Sequence, residues 1–175
     1  YDTAQYIAVK KAQAYRPLLD SAISHQDTSI NHQQPSDGNP ELLILTADTV
    51  VIAPSSEEQN DQEGKGIILG KPKDAADASR MLEMLSGKTH HVVTGVCITS
   101  LEKQRQFSVV TEVTFKKLSK EEIDYYVGHY KPFDKAGAYG IQEWIGYIGC
   151  TSLKGSYFNV MGLPVQRIYE ELKKF

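Results

Sequence analysis

Apolar and small residues at Ala4, Ile7, Ala8, Tyr15, Leu18 and Leu19 recur at near-helical spacing behind Asp2 and Thr3, either of which can cap a first turn. The chain therefore opens with an amphipathic helix to about Leu19. The stretch 24–40 is polar, with Asn, Gln, Ser, Asp, Gly and two prolines, and has too little apolar surface to order itself, so it reads as a flexible insertion. Two short apolar runs of strand length follow, Leu42 to Leu45 and Val50 to Ile52, interrupted by Thr46-Ala47-Asp48-Thr49. A second polar and acidic stretch, 55–66, reads as a long hairpin loop before the strand Ile67-Ile68-Leu69, which Gly70-Lys71-Pro72 ends.

Asp74 caps a helix to about Leu85, with Ala78, Met81, Leu82 and Leu85 on one face and Gly87 placed for its C-terminal turn. His91 to Ser100 and Gln106 to Phe115 are β-branched runs around a short charged loop, the pattern of an antiparallel hairpin. Ser119-Lys120-Glu121-Glu122 has capping-box spacing and starts a helix to about His129. Trp144 to Cys150 and Ser156 to Val160 predict two further short strands. Pro164 opens a last helix on which Val165, Ile168, Leu172 and Phe175 share a face. Helices and strands intermixed in this way predict an α/β or α+β domain.

A length of 175 residues, 41% of them hydrophobic, suits one core rather than two, so a single domain is expected. A formal net charge of −3 argues against a duplex nucleic-acid binder, which is usually basic, but leaves room for a small anionic ligand met by local cations. Only Cys97 and Cys150 are present, which excludes a disulfide scaffold and suits a reducing compartment, with the cytoplasm as the default. No apolar run is long enough to span a membrane. His90 and His91 would point to opposite faces of a strand, which disfavours a shared metal, and no Cys and His pairing has zinc spacing. Nor is there a nucleophile elbow for a serine hydrolase.

One stretch looks like a site: Asp134-Lys135-Ala136-Gly137-Ala138-Tyr139-Gly140-Ile141-Gln142. It is too rich in glycine for a helix and offers an anion, a cation and a carboxamide. Together with Ala47-Asp48-Thr49-Val50-Val51, Leu69-Gly70-Lys71-Pro72, Thr94-Gly95-Val96 and the run from Gly155 to Pro164, it resembles, in order, the motifs of the Maf nucleotide pyrophosphatases, relatives of the inosine-triphosphate pyrophosphatases. Lys11-Ala12-Gln13-Ala14 also looks like that family's first helix, so the resemblance covers nearly the whole chain outside the two polar insertions. The family begins with a strand and a Ser-Pro-Arg-Arg type loop followed by an acidic residue. No counterpart precedes Tyr1, which is not an initiator Met, and the expectation is that a longer chain supplies that segment.

The resemblance implies an elongated α/β domain with a mixed sheet flanked by helices and a cleft between two lobes, often dimeric. It implies hydrolysis of a nucleoside triphosphate to monophosphate and pyrophosphate by water attack at the α-phosphorus. That chemistry asks for a carboxylate to take a proton, a divalent metal to bridge phosphate oxygens, and cations for the leaving group. Asp48 is then the proton acceptor and a metal ligand, with magnesium as the metal because it is commonly held by few carboxylates plus substrate phosphates. Asp134 is either a second carboxylate for the metal or a loop cap. Lys71, between Gly70 and Pro72, faces phosphate; Lys11 either does the same or lies on a solvated helix face, and Lys135 either binds substrate or pairs with a surface carboxylate. Thr49 and Gln142 are assigned to the base, because a carboxamide donates and accepts at once and so matches the edge of uracil or thymine. The family branch acting on dTTP and UTP resembles this chain at both positions. The glycines of the 134–142 stretch are expected to bring backbone close to the nucleotide. A different class of function, a non-catalytic nucleotide-binding regulator tied to septum formation and cell division, follows from the missing phosphate loop and the family's association with cell-division arrest.

Overall fold

The computed structural model describes residues 2–24, 42–55 and 66–175. Apart from their ends, the two polar insertions lie outside the described residues. In chain order the described elements are α1 (Asp2–Ser24), β1 (Ile44–Ala53), β2 (Ile67–Leu69), α2 (Ala75–Leu85), β3 (Thr89–Thr99) and β4 (Gln104–Phe115), then α3 (Lys120–Tyr130), α4 (Trp144–Gly149), β5 (Cys150–Lys154), α5 (Tyr157–Val160) and α6 (Val165–Leu172). The strands form one sheet in the order β2-β1-β3-β4-β5. The α/β class expected from the sequence is observed, but every pairing in the described sheet is antiparallel, where a mixed sheet was expected.

Alternation along the strands divides the sheet into two faces. On one face Val50 and Val93 pack against Ala4, and Cys97 packs against Ala8 and Ala12, so α1 lies across β1 and β3 on its small residues. Close approach is possible because Gly95 has no side chain: a Cβ there would lie 2.2 Å from the backbone nitrogen of Gln5. The Thr46 hydroxyl adds a hydrogen bond to the carbonyl of Ala8 (2.7 Å). On the opposite face Val51, Leu69, Val92, Val113 and Phe115 meet Met81, Leu82 and Leu85 of α2, Ile123, Tyr126 and Val127 of α3, and Ile145 of α4. Each large side chain removed from water there contributes about 1.5–3 kcal/mol before entropy is set against it.

Local signals account for the helix ends. The Asp77 N–H donates to the Asp74 carboxylate at 2.8 Å, and Gly87 takes φ +69° after α2. Ser119 and Glu122 complete the capping box of α3. Three expectations change. The two runs read as separated by Thr46 to Thr49 are one ten-residue strand, β1, whose polar residues stay in register with β3: Thr46, Asp48 and Thr49 stand opposite Cys97, Gly95 and Thr94. The runs read as strands at 144–150 and 156–160 are mainly helical: α4 buries Ile145, Gly146 and Gly149, and the Ser156 hydroxyl caps the single turn of α5 by accepting from the Asn159 N–H (3.2 Å). On α6 the inward residues are Ile168 and Glu171 rather than Leu172, and the buried Glu171 carboxylate pairs with Arg105 and with Arg167 (2.9 Å).

Candidate functional site

Pairing with β2 covers only Val51 to Ala53 of β1, so the outer edge of β1 from Ile44 to Val50 has no partner among the described strands. A cleft of about 700 Å³ opens along this edge. Asp48 and Thr49 both line it although strand alternation sends them to opposite faces, so the cleft wraps around the edge. Asp48 therefore sits on an open edge inside a continuous strand.

Six of the seven residues singled out from the sequence, Asp48, Thr49, Lys71, Asp134, Lys135 and Gln142, line this one cleft. The seventh, Lys11, reaches it indirectly. Its ammonium lies 2.5 Å from Asp48 Oδ1 and 3.1 Å from the carbonyl of Ala47, while 45% of its side chain stays exposed. The Asp48 carboxylate is thereby held by a cation while remaining partly open to the cleft, with 23% of its side chain exposed. Lys71 makes no ion pair or hydrogen bond among the described residues. The strand end that carries it is tied to the facing wall, because the Gly137 N–H donates to the carbonyl of Gly70 (3.0 Å).

That wall is the 134–143 stretch, folded as the 3-10 turn Ala136–Ala138 followed by a tight turn in which the Glu143 N–H donates to the carbonyl of Gly140 (3.0 Å). Its glycines bring backbone against protein as much as toward the cleft. Gly137 sits at φ +70°, where a Cβ would come 2.8 Å from Val51, and a Cβ on Gly140 would meet the Glu143 side chain at 2.9 Å. Lys135 is paired on both sides, with Asp134 at 3.0 Å and Glu143 at 3.3 Å. The Lys135 bond holds the Asp134 carboxyl below the usual carboxylate range. Burial acts to lower the Lys135 ammonium, but its two carboxylates outweigh burial and carry the net shift upward. Gln142 is exposed to the cleft with its carboxamide unbonded among the described residues, and its backbone carbonyl accepts from the Tyr147 hydroxyl (2.5 Å).

Four contributors were not singled out from the sequence. Thr94 bonds the Thr49 hydroxyl at 2.8 Å and donates to the carbonyl of Asn159 (3.3 Å). The buried Asn159 amide donates to the carbonyl of Val92 (3.1 Å) and to Thr111 (2.9 Å), fixing the segment that brings Val160, Met161 and Gly162 to the cleft. Both residues lie inside motifs that carried the family resemblance, which was the available signal. Glu143 and Tyr126 form the third and fourth: the Tyr126 hydroxyl donates to the Glu143 carboxylate and accepts from the Gly140 N–H (3.0 Å). Nothing local in the sequence marks that contact.

Among the described residues no three His, Cys, Asp or Glu side chains converge into a cage. The donors present are Asp48 and Asp134, a set that suits a hydrated hard cation completing its shell with phosphate oxygens.

A cleft of this size, within the ~300–1,000 Å³ typical of small-molecule sites, with carboxylates and lysines beside one unbonded carboxamide, defines a small-ligand-binding α/β protein. The chain belongs to the Maf-like protein family, whose model matches residues 1–175. It is 53% identical over 169 residues to a dTTP/UTP pyrophosphatase of Phocaeicola vulgatus, a match covering 97% of this chain and 72% of the relative. It is 50% identical over 170 residues to a dTTP/UTP pyrophosphatase of Porphyromonas gingivalis (97% and 71%) and 47% identical over 169 residues to one of Bacteroides fragilis (97% and 72%).

Proposed function

We propose that this chain hydrolyses dTTP, UTP or modified pyrimidine triphosphates to the monophosphate and pyrophosphate. The observation that carries the reading is the Asp48 carboxylate, paired with Lys11 and facing a cleft that also holds Lys71 and Gln142. Asp48 accepts the proton of the attacking water, and Lys11 keeps its carboxylate oriented through the 2.5 Å bond. Lys71, whose ammonium makes no hydrogen bond or ion pair among the described residues, binds phosphate and stabilises charge on the departing pyrophosphate. Lys135 adds to that field from a position fixed by Asp134 and Glu143.

Magnesium, held by Asp48 with Asp134 as a second carboxylate, would supply neutralisation of the phosphate oxygens when bound. Gln142 reads the base through paired donor and acceptor contacts, and Thr49, anchored to Thr94, shapes the wall beside it. Two unpaired cysteines suit a cytoplasmic enzyme, and no helix among the described residues is long and apolar enough to cross a membrane. The working assembly in this reading is a homodimer, which sedimentation of the purified protein tests.

Pyrophosphate release measured over a panel of triphosphates, with and without magnesium, tests the activity. Asp48→Asn keeps the shape of the side chain but removes the proton acceptor, and should lower kcat by about 100- to 10,000-fold with the melting temperature little changed. Undiminished release by that variant overturns the assignment. Nucleotide binding without release by the unaltered protein favours the non-catalytic regulator instead.

A further inference from the structure

The Gln142 side chain projects from a four-residue turn, Gly140 to Glu143, closed by the Glu143 N–H to Gly140 carbonyl bond. One hydroxyl touches both corners of that turn. Tyr126 Oη accepts from the Gly140 N–H at 3.0 Å and donates to the Glu143 carboxylate, so a residue of α3 clamps the first and last positions together. Tyr126 is fully buried in the core, stacks on Tyr130, and is not among the residues that line the cleft. Burial and then the Glu143 carboxylate push its phenol well above the ordinary tyrosine range, so it stays a protonated donor. The same Glu143 carboxylate holds Lys135, which puts a cleft cation and the Gln142 carboxamide under one support. Opposite the clamp, Ile141 is buried, and its carbonyl lies where a Cβ on Gly146 would stand at 1.9 Å, so the turn is confined on that side too.

We propose that Tyr126 is a positioning residue for nucleotide recognition: through Gly140 and Glu143 it sets the direction in which Gln142 faces the base. This rests on the pyrimidine triphosphatase reading for its assay, but the clamp has its own readout. A carboxamide reads a base edge only when both of its hydrogen bonds are formed together, so a turn free to rock weakens binding of the base without altering the water, Asp48 or the α-phosphorus. Losing the hydroxyl also leaves the buried Gly140 N–H without its acceptor.

Tyr126→Phe in the full chain tests this. The expected result is a KM for dTTP and UTP raised by about ten-fold with kcat within about two-fold, together with faster hydrogen exchange at the Gly140 amide. Glu143→Gln keeps one oxygen to accept from the Tyr126 hydroxyl but gives up the charge that holds Lys135, so it should raise KM less than Glu143→Ala, for which a rise of about ten-fold is expected. An unchanged KM in a folded Tyr126→Phe protein overturns the proposal, as does a loss of activity that merely tracks the folded fraction at constant KM. If Tyr126→Phe does not fold, the Glu143 pair decides, and equal KM values for its two variants overturn the proposal. If the unaltered protein releases no pyrophosphate from any triphosphate, the functional reading fails. Binding of dTTP by calorimetry and Gly140 exchange then judge the clamp, and unchanged values in Tyr126→Phe overturn it.

Discussion

Gln142 offers an N–H donor and a carbonyl acceptor on one flat group, and its carboxamide is unbonded among the described residues. Gln142→Glu replaces that pair with two acceptors, so a base edge presenting a carbonyl beside an N–H loses one contact and meets a repelling oxygen. KM for UTP and dTTP is expected to rise by about ten-fold or more, read from initial rates of pyrophosphate release. Residue types at this scale were largely legible in the chain. Asp48, Lys71 and Gln142 were identified from motifs, and all three line one cleft. Tyr126 and Glu143 were not identified, because a tyrosine on a buried helix face and a glutamate after Gln142 carry no local mark of their bond across 17 positions.

The element that most constrains the site is α1, because its Lys11 is useful only while the helix lies close enough to β1 for the ammonium to reach Asp48. Gly95, paired with Asp48 across β1 and β3, permits that approach. In Gly95→Ala the new Cβ would stand 2.2 Å from Gln5 nitrogen and 2.3 Å from Ala4 carbonyl carbon, both backbone atoms, so the helix must move. A loss of about 1–3 kcal/mol in urea denaturation is expected, with a fall in activity beyond what the unfolded fraction explains. The helices with clear periodicity and caps, α2 and α3, were legible from the chain alone. The run 144–150 reads as a strand in the sequence, because periodicity distinguishes poorly between helix and strand in so short an apolar run. Tertiary packing of Ile145, Gly146 and Gly149 decided for the helix α4.

For the molecule as a whole, the core contains a titrating group. His90 is fully buried between Phe115 and Tyr139, with its Nε2 2.8 Å from the Tyr139 hydroxyl, and burial pushes its imidazole down to about 4. In the unfolded chain it titrates near its ordinary value of 6.5. Above that pH both states are neutral and the stability is complete. As pH falls from about 6.5 toward about 4 the unfolded chain takes up a proton that the folded one refuses, so stability declines by up to about 3 kcal/mol. Denaturant titrations across this window should show the decline, and His90→Gln, which cannot titrate, should remove most of it. Tyr139 also lines the cleft, so His90 packs directly behind one of its walls.

Hydrophobic period and capping chemistry act within a turn or a strand length, and so the sequence by itself determined the main helices, the β3-β4 hairpin and the identity of the polar residues at the site. Only the tertiary structure decided that Lys11 bonds Asp48, that the cleft wraps the edge of β1, and that Tyr126 closes the turn beneath Gln142. The physical reason is one of range: periodicity specifies which face of an element is buried, whereas the partner it meets depends on how the elements pack.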